Sequence, residues 1–199
     1  MQFLVIDHRT NASTPPRSTL LVQSARVRAA SFFPGAPGRA PWAVEANQCA
    51  KAEQEYRELV EKIDIDKNVA CVVALGSGYE VMATCDINHM NKLPSEELVE
   101  INNKYLDRTF YLSNVCVSPQ YRRQGIGTAL IKHAEHHIIA GRSSSLPPVI
   151  LYVHAKADNE PAIRLYREHL RFPLVAREST QRARLRGNGS PRLLFGKEL

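Results

Sequence analysis

Seven consecutive residues, Arg122, Arg123, Gln124, Gly125, Ile126, Gly127 and Thr128, join two guanidinium groups to a Gly-x-Gly spacing. Before them, Thr109–Val117 is a β-branched and aromatic run closed by Ser118-Pro119, which reads as a strand. After them, Ala129, Leu130, Ala134 and Ile138 recur at helical spacing over 128–139. A strand that feeds a basic turn, which in turn opens a helix, presents the helix's first N–H groups, unsatisfied and partly positive. Glycine removes the side chain that would keep an anion off the backbone, and arginine adds charge-assisted contacts. The chemistry this predicts is capture of a pyrophosphate.

Two familiar phosphate loops do not fit. A dinucleotide fingerprint needs Gly-x-Gly-x-x-Gly, whereas Ala129 and Leu130 follow Gly127 and Lys132 comes next. A Walker loop needs Gly-Lys-Ser/Thr, which this segment lacks. His133, His136 and His137 lie at i, i+3 and i+4 on the helix, but no acid or cysteine completes a ligand set there, so they read as a solvated face and no metal is expected. Cys49, Cys71, Cys85 and Cys116 show no CxxC spacing and read as reduced residues. The arginines between Arg182 and Arg192, around Gly187-Asn188-Gly189, read as a solvated turn.

The elements around the loop alternate. An amphipathic helix is expected over 45–63, a hairpin over 68–75 and 80–87 about Gly76-Ser77-Gly78, and a helix start at Pro94-Ser95-Glu96-Glu97. Residues 141–148 read as a linker, 149–155 as a strand, 159–170 as a helix, and 172–176 and 192–196 as short strands. This is a mixed α/β domain with parallel neighbours in its middle. A chain of 199 residues, 44% hydrophobic, suits one core. No apolar stretch reaches the roughly 18 residues of a membrane span. The formal charge of +6 favours an anionic partner. Aromatic residues are only 7% and do not interleave with the basic ones, which argues against single-stranded nucleic acid.

The front of the chain differs in composition. Up to Pro41, Asp7 is the only acid, while Arg9, Arg17, Arg26, Arg28 and Arg39 lie among Ser, Thr and Pro. Residues 1–23 are expected to be a transit-peptide remnant or a disordered tail, and the location plastid (chloroplast) or otherwise cytoplasmic. A first strand is expected over 25–33, and the domain over 24–199.

At Val117-Ser118-Pro119 followed by Arg122, Gly125 and Gly127, the sequence resembles the GCN5-related N-acetyltransferase (GNAT) family. Asn159, Ala162 and Tyr166 match that family's second block, Asn-x-x-Ala-x-x-x-Tyr. The resemblance implies a single mixed, mostly antiparallel sheet whose two central parallel strands splay apart, flanked by helices. It implies acetyl-CoA as cosubstrate, with the pantetheine arm on the backbone of Val115, Cys116 and Val117 and the pyrophosphate on Arg122, Arg123, Gln124, Gly125, Ile126, Gly127 and Thr128. Tyr166 becomes the candidate acid for the departing sulfur. Asn159, also placed to cap its helix, becomes a contact to the pantetheine arm. His154 becomes the candidate base, with an ordinary pKa near 6.5 suited to taking a proton from an ammonium. Tyr152 and Tyr121 are the candidates for orienting an acceptor or a water. The family usually follows its tyrosine helix with Gly-Phe, whereas this chain has Leu170-Arg171-Phe172, which leaves the helix terminus without its usual residue.

The implied reaction is acetyl transfer to an amine by direct attack in a ternary complex. The pattern most resembles plastid-type members, which acetylate protein N-terminal α-amines and lysine ε-amines. An arylalkylamine such as serotonin is the second acceptor class, and a non-catalytic module that binds coenzyme A or nucleic acid is the alternative of another kind.

Overall fold

The computed structural model describes residues 1–10, 15–35, 37–90, 108–140, 142, 146–187 and 189–199. The expected helix start at Pro94 lies outside them. Among the described residues, seven strands hydrogen-bond in the order β1-β2-β3-β4-β5-β7-β6. They are β1 (Gln2–Ile6), β2 (Val69–Leu75), β3 (Val81–His89), β4 (Thr109–Val117), β5 (Ile150–Lys156), β6 (Leu174–Arg177) and β7 (Arg192–Glu198). The helices are α1 (Arg17–Phe32), α2 (Pro41–Ile65), α3 (Ile126–Ala140), α4 (Glu160–Arg164) and α5 (Thr180–Leu185). Strand β4 pairs parallel with β5, while β1 with β2, β5 with β7 and β6 with β7 pair antiparallel. The mixed sheet expected from sequence is therefore present, with its parallel pair in the middle.

The chain packs as two compact units, Met1–Ile87 with Asn114–Ala134 and Asn88–Ser113 with Glu135–Leu199. In the first, Ile6, Leu20, Leu21, Leu59, Ile63, Val73, Leu75 and Cys116 bury one apolar cluster. The strand expected over 25–33 is instead the second half of α1. Leu20, Leu21, Ser24, Ala25, Val27, Arg28 and Ala29 are its buried positions, and most of them recur at the three- and four-residue spacing of a helix. Two of them are polar, which hides the stripe from a reading of apolar residues. Residues 1–23, expected as a loose front, include β1 and the start of α1, and Gln2–Ile6 is registered against β2 from Leu75 to Cys71.

In the second unit, β5 and β7 share seven register pairs from Ile150↔Glu198 to Lys156↔Arg192. Strands β6 and β7 and helix α5 are tied by Glu178, which is buried and accepts from Arg186 Nε at 3.1 Å, Arg186 Nη2 at 2.6 Å and the Arg192 amide at 2.9 Å. The Arg186 bonds, against the opposing effect of burial, hold this carboxyl down at about 2. The arginines expected to be a solvated turn thus include a buried clasp. Ser179 caps helix α5, its hydroxyl oxygen accepting from the Arg182 amide at 3.2 Å.

The helix after Asn159 ends without glycine. It is α-helical over Glu160–Arg164, then makes a π turn over Leu165–His169, with Leu170 N donating to Leu165 O at 3.0 Å. Arg171 takes φ +60° and lets the Phe172 amide reach Tyr166 O at 2.9 Å. A side chain in this left-handed region costs about 1 kcal/mol that glycine avoids. Arg171 is exposed, so Arg171→Gly is expected to raise stability by about 1 kcal/mol in thermal or urea unfolding.

Candidate functional site

Strand β4 leads into the candidate anion loop through a short 3-10 turn, Pro119–Tyr121. The Arg122 Nε–H donates to Val117 O at 3.1 Å, fastening the loop to the strand's last carbonyl. Arg123 takes φ +64° and Gly125 φ +77°, while Gln124 between them stays out of that region. Alternating handedness of this kind turns successive N–H groups to one side, a concavity suited to an anion. Arg123 has no glycine's freedom, and a non-glycine held there is the kind of strain that collects at ligand-binding turns.

Helix α3 starts at Ile126, with Ala129 N donating to Gly125 O at 3.0 Å. The amides of Ile126, Gly127 and Thr128 come before the first intrahelical donor and point out of the helix's positive end. Arg122, Arg123, Gln124 and Gly125 are exposed, and a Cβ built on Gly125 meets nothing within 4 Å. The donors are N–H groups and guanidiniums throughout, so the loop fits the pyrophosphate of coenzyme A.

Val115, Cys116 and Val117 close β4. The Cys116 thiol is buried, donates to Asn114 O at 3.0 Å, and is pushed by burial up to about 12. A thiol that stays protonated at neutral pH is a poor nucleophile, so this segment offers its backbone rather than its sulfur. Tyr121, considered as an acceptor guide, places its hydroxyl 3.4 Å from Glu80 Oε1. His133 stacks on Phe3 of β1 at 5.0 Å between ring centroids, whereas His136 and His137 are exposed, so the histidine face is solvated only in part.

The remaining residues belong to the second unit. The β4–β5 ladder comprises four pairs, Thr109↔Ile150 to Leu112↔Val153. His154 is the next residue on β5. Its Nδ1 shares a 2.8 Å hydrogen bond with Tyr111 Oη, and the two rings meet edge-on at 5.6 Å. The tautomer decides which atom donates; in either case the imidazole is held in one orientation. Tyr111 was not among the residues singled out from sequence. Its partner is 43 positions away, and only the parallel register of β4 on β5 joins them. Asn88 Nδ2 steadies this stretch by donating to Tyr111 O and to Ser113 Oγ, each at 3.0 Å. Tyr152, which shares a face with His154, is buried against Gly196, whose added Cβ would lie 2.7 Å from its ring. It reads as core rather than as an acceptor guide.

Tyr166 lies on the π turn, buried, with its ring 5.9 Å from Phe195 and 6.4 Å from Phe172. Phe195 is registered with Val153 and Leu194 with His154. Because strand side chains alternate, Tyr166 and His154 stand on opposite faces of the β5–β7 pair. His154 follows Val153, the last β5 residue paired with β4. Asn159 caps α4, its Oδ1 accepting from Ala162 N at 3.2 Å, so its oxygen is engaged by the helix and its amide NH₂ is the group able to meet a ligand.

The profile described as the acetyltransferase (GNAT) family matches residues 39–172, about two thirds of the chain. The chain belongs to that family, and is an acetyl-CoA-dependent N-acetyltransferase acting on an amine. Solved structures share its fold. NAA60 of Arabidopsis thaliana in complex with acetyl-CoA is 20% identical, with 100% of this chain and 98% of that chain covered and a TM-score of 0.59. A chimeric spermidine N-acetyltransferase from Vibrio cholerae is 14% identical over 100% and 96%, with a TM-score of 0.61. The ribosomal-protein-S18-alanine N-acetyltransferase of Escherichia coli is 14% identical over 99% and 94%, with a TM-score of 0.52. A search of curated proteins found none that matches.

Gly125→Val is expected to weaken coenzyme A at least about tenfold in calorimetric titration, because a β-branched residue resists φ +77° and its side chain enters the open loop. Gly189→Ala is the control, being left-handed at φ +62° and equally open but outside the loop, and should leave affinity unchanged.

Proposed function

We propose that the enzyme acetylates protein N-terminal α-amines and lysine ε-amines by direct attack in a ternary complex, with His154 as base and Tyr166 as acid. The observation that carries this reading is the 2.8 Å bond between Tyr111 Oη and His154 Nδ1, immediately beyond the point where the β4–β5 ladder stops. A histidine held at one nitrogen fixes the direction of the other; Nε2 is buried, and in this reading it takes the proton from an ammonium brought against it.

In this reading the loop amides of Ile126, Gly127 and Thr128, with Arg122 and Arg123, hold the pyrophosphate of acetyl-CoA. Val115, Cys116 and Val117 take the pantetheine arm along their backbone, joined by the Asn159 amide. A backbone N–H near Val117 meets the oxyanion. His154 takes the proton from the acceptor, and Tyr166 supplies one to the sulfur as the carbon–sulfur bond breaks. The high pKa of Cys116 supports direct attack over an acetylated-cysteine route.

The acceptor class rests on other grounds. Fold-sharing enzymes include one named for a ribosomal-protein alanine and one named for spermidine, so the fold leaves the amine open. A formal charge of +6 disfavours a free polycation and suits an acceptor carried on a protein, which brings its own carboxylates. The sequence pattern around Val153-His154-Ala155 and Asp158-Asn159 supports the same class. The plastid location is proposed on composition alone, since residues before Pro41 also serve the fold.

Purified enzyme with acetyl-CoA and a mixture of peptides, lysine substrates and serotonin should yield acetylated α- and ε-amines by mass spectrometry. Turnover of serotonin alone would refute the acceptor class, and binding without thiol release would refute catalysis. Tyr166→Phe should lower kcat by about 10²- to 10³-fold with little change in the KM for acetyl-CoA.

A further inference from the structure

The largest fully buried side chain of the described core is not apolar. Arg28 of α1 and Asp86 of β3 are each 1% exposed and face one another. Arg28 Nη1 donates to Asp86 Oδ2 at 3.1 Å and Nη2 bonds Oδ1, a bidentate pair. Nη2 also reaches Thr84 Oγ1 at 3.4 Å and Cys71 Sγ at 3.6 Å. Burial works against the charge on Arg28, and the attraction of Asp86 outweighs it, so the guanidinium is held above its ordinary pKa. Such a pair is weak evidence of a stabilising purpose, because desolvation offsets most of the attraction and an apolar replacement is often no worse.

Asp86 has a third partner that gives the pair a different use. Its Oδ2 also accepts from Asn114 Nδ2 at 2.8 Å. Asn114 sits within β4 at φ +51°, a conformation foreign to a strand interior and tolerated best by glycine or asparagine. It is the residue immediately before Val115, Cys116 and Val117. At the far end of that stretch, Ser118 N donates to Met82 O of β3 at 2.9 Å. The last residues of β4 are thus bent at one end and pinned to β3 at both.

We propose that Asp86, fixed by Arg28, is a positioning residue for the cosubstrate: through Asn114 it holds the bend in β4 that turns the backbone of Val115, Cys116 and Val117 toward the pantetheine arm. This rests on the proposed seating of that arm along β4. A carboxylate that accepts from two side chains at once cannot slide along the strand, and an asparagine bonded at its amide keeps a positive φ that it would otherwise leave. The buried ion pair therefore sets a local backbone shape next to the reaction, instead of adding to the core.

The test uses the full chain and separates the bend from the core. Asn114→Gly permits φ +51° but removes the amide, and leaves Arg28 and Asp86 paired. It should raise the Kd for coenzyme A and the KM for acetyl-CoA about tenfold, the scale of a lost charge-assisted bond, with the amine KM within about twofold and the thermal midpoint little changed. Asp86→Asn should do the same at a larger cost in stability. Joining it to Asn114→Asp restores one carboxylate–carboxamide bond and should recover most of the affinity. Unchanged coenzyme A affinity in Asn114→Gly, with Gly125→Val still losing it, overturns the positioning role alone. Unchanged affinity in both variants overturns the cofactor loop and this proposal with it. Equal rises in both KM values with a matching fall in thermal midpoint show a merely structural network and also overturn it. If Asp86→Asn fails to fold, Asn114→Gly decides.

Discussion

A helix start leaves three or four amide hydrogens with no acceptor of their own, and the rest of the proposed site follows from where those amides are. In this chain they belong to Ile126, Gly127 and Thr128, at the end of a turn whose Arg123 and Gly125 are both left-handed. No nearby capping side chain is needed if an anion takes their place, and the two exposed arginines raise the local demand for one. Once a pyrophosphate is seated there, the reach of the pantetheine arm determines which strand it must follow. In the proposed reading that strand is β4, to whose last carbonyl Arg122 fastens the turn.

Chemistry at the other end has to be arranged around a sheet, which is a difficult scaffold for convergent groups. Side chains on a strand alternate between faces, so a base and an acid drawn from the β5–β7 region fall on the same side or on opposite sides, with nothing between. The proposed base and acid are opposite: His154 is registered with Leu194, and Tyr166 packs on Phe195. The β4–β5 ladder ends at Leu112↔Val153, one residue before His154. The π turn that carries Tyr166 and the left-handed Arg171 that follows have a related role, since together they end the helix with Tyr166 packed on Phe195 and Phe172.

Much of this was legible from residue order. The strand, the basic glycine turn and the following helix each have a local signature, and β4 runs over Thr109–Val117 as expected. Asn159 could be placed at a helix start because capping is a property of one residue and its next three. What could not be read depends on register or on buried polarity. Tyr111 meets His154 only through strand pairing across 43 positions. Helix α1 imitates a strand in sequence because Ser24 and Arg28 occupy core positions, and the alternation Arg26-Val27-Arg28 has a period of two. The composition of the front of the chain suggested a loose segment, yet Gln2–Ile6 has a β-strand partner waiting in β2. Arg171 shows the converse limit, in that a missing glycine did not prevent the turn that glycine usually makes.

The central claim is that backbone amides at the start of α3 grip a diphosphate. Amide proton shifts in a titration with coenzyme A read those groups one by one. The largest downfield movements should fall on Ile126, Gly127 and Thr128, be reproduced by adenosine 3′-phosphate 5′-diphosphate, and be absent with pantetheine alone. Shifts confined to other residues, with these three unmoved at saturation, would contradict the account.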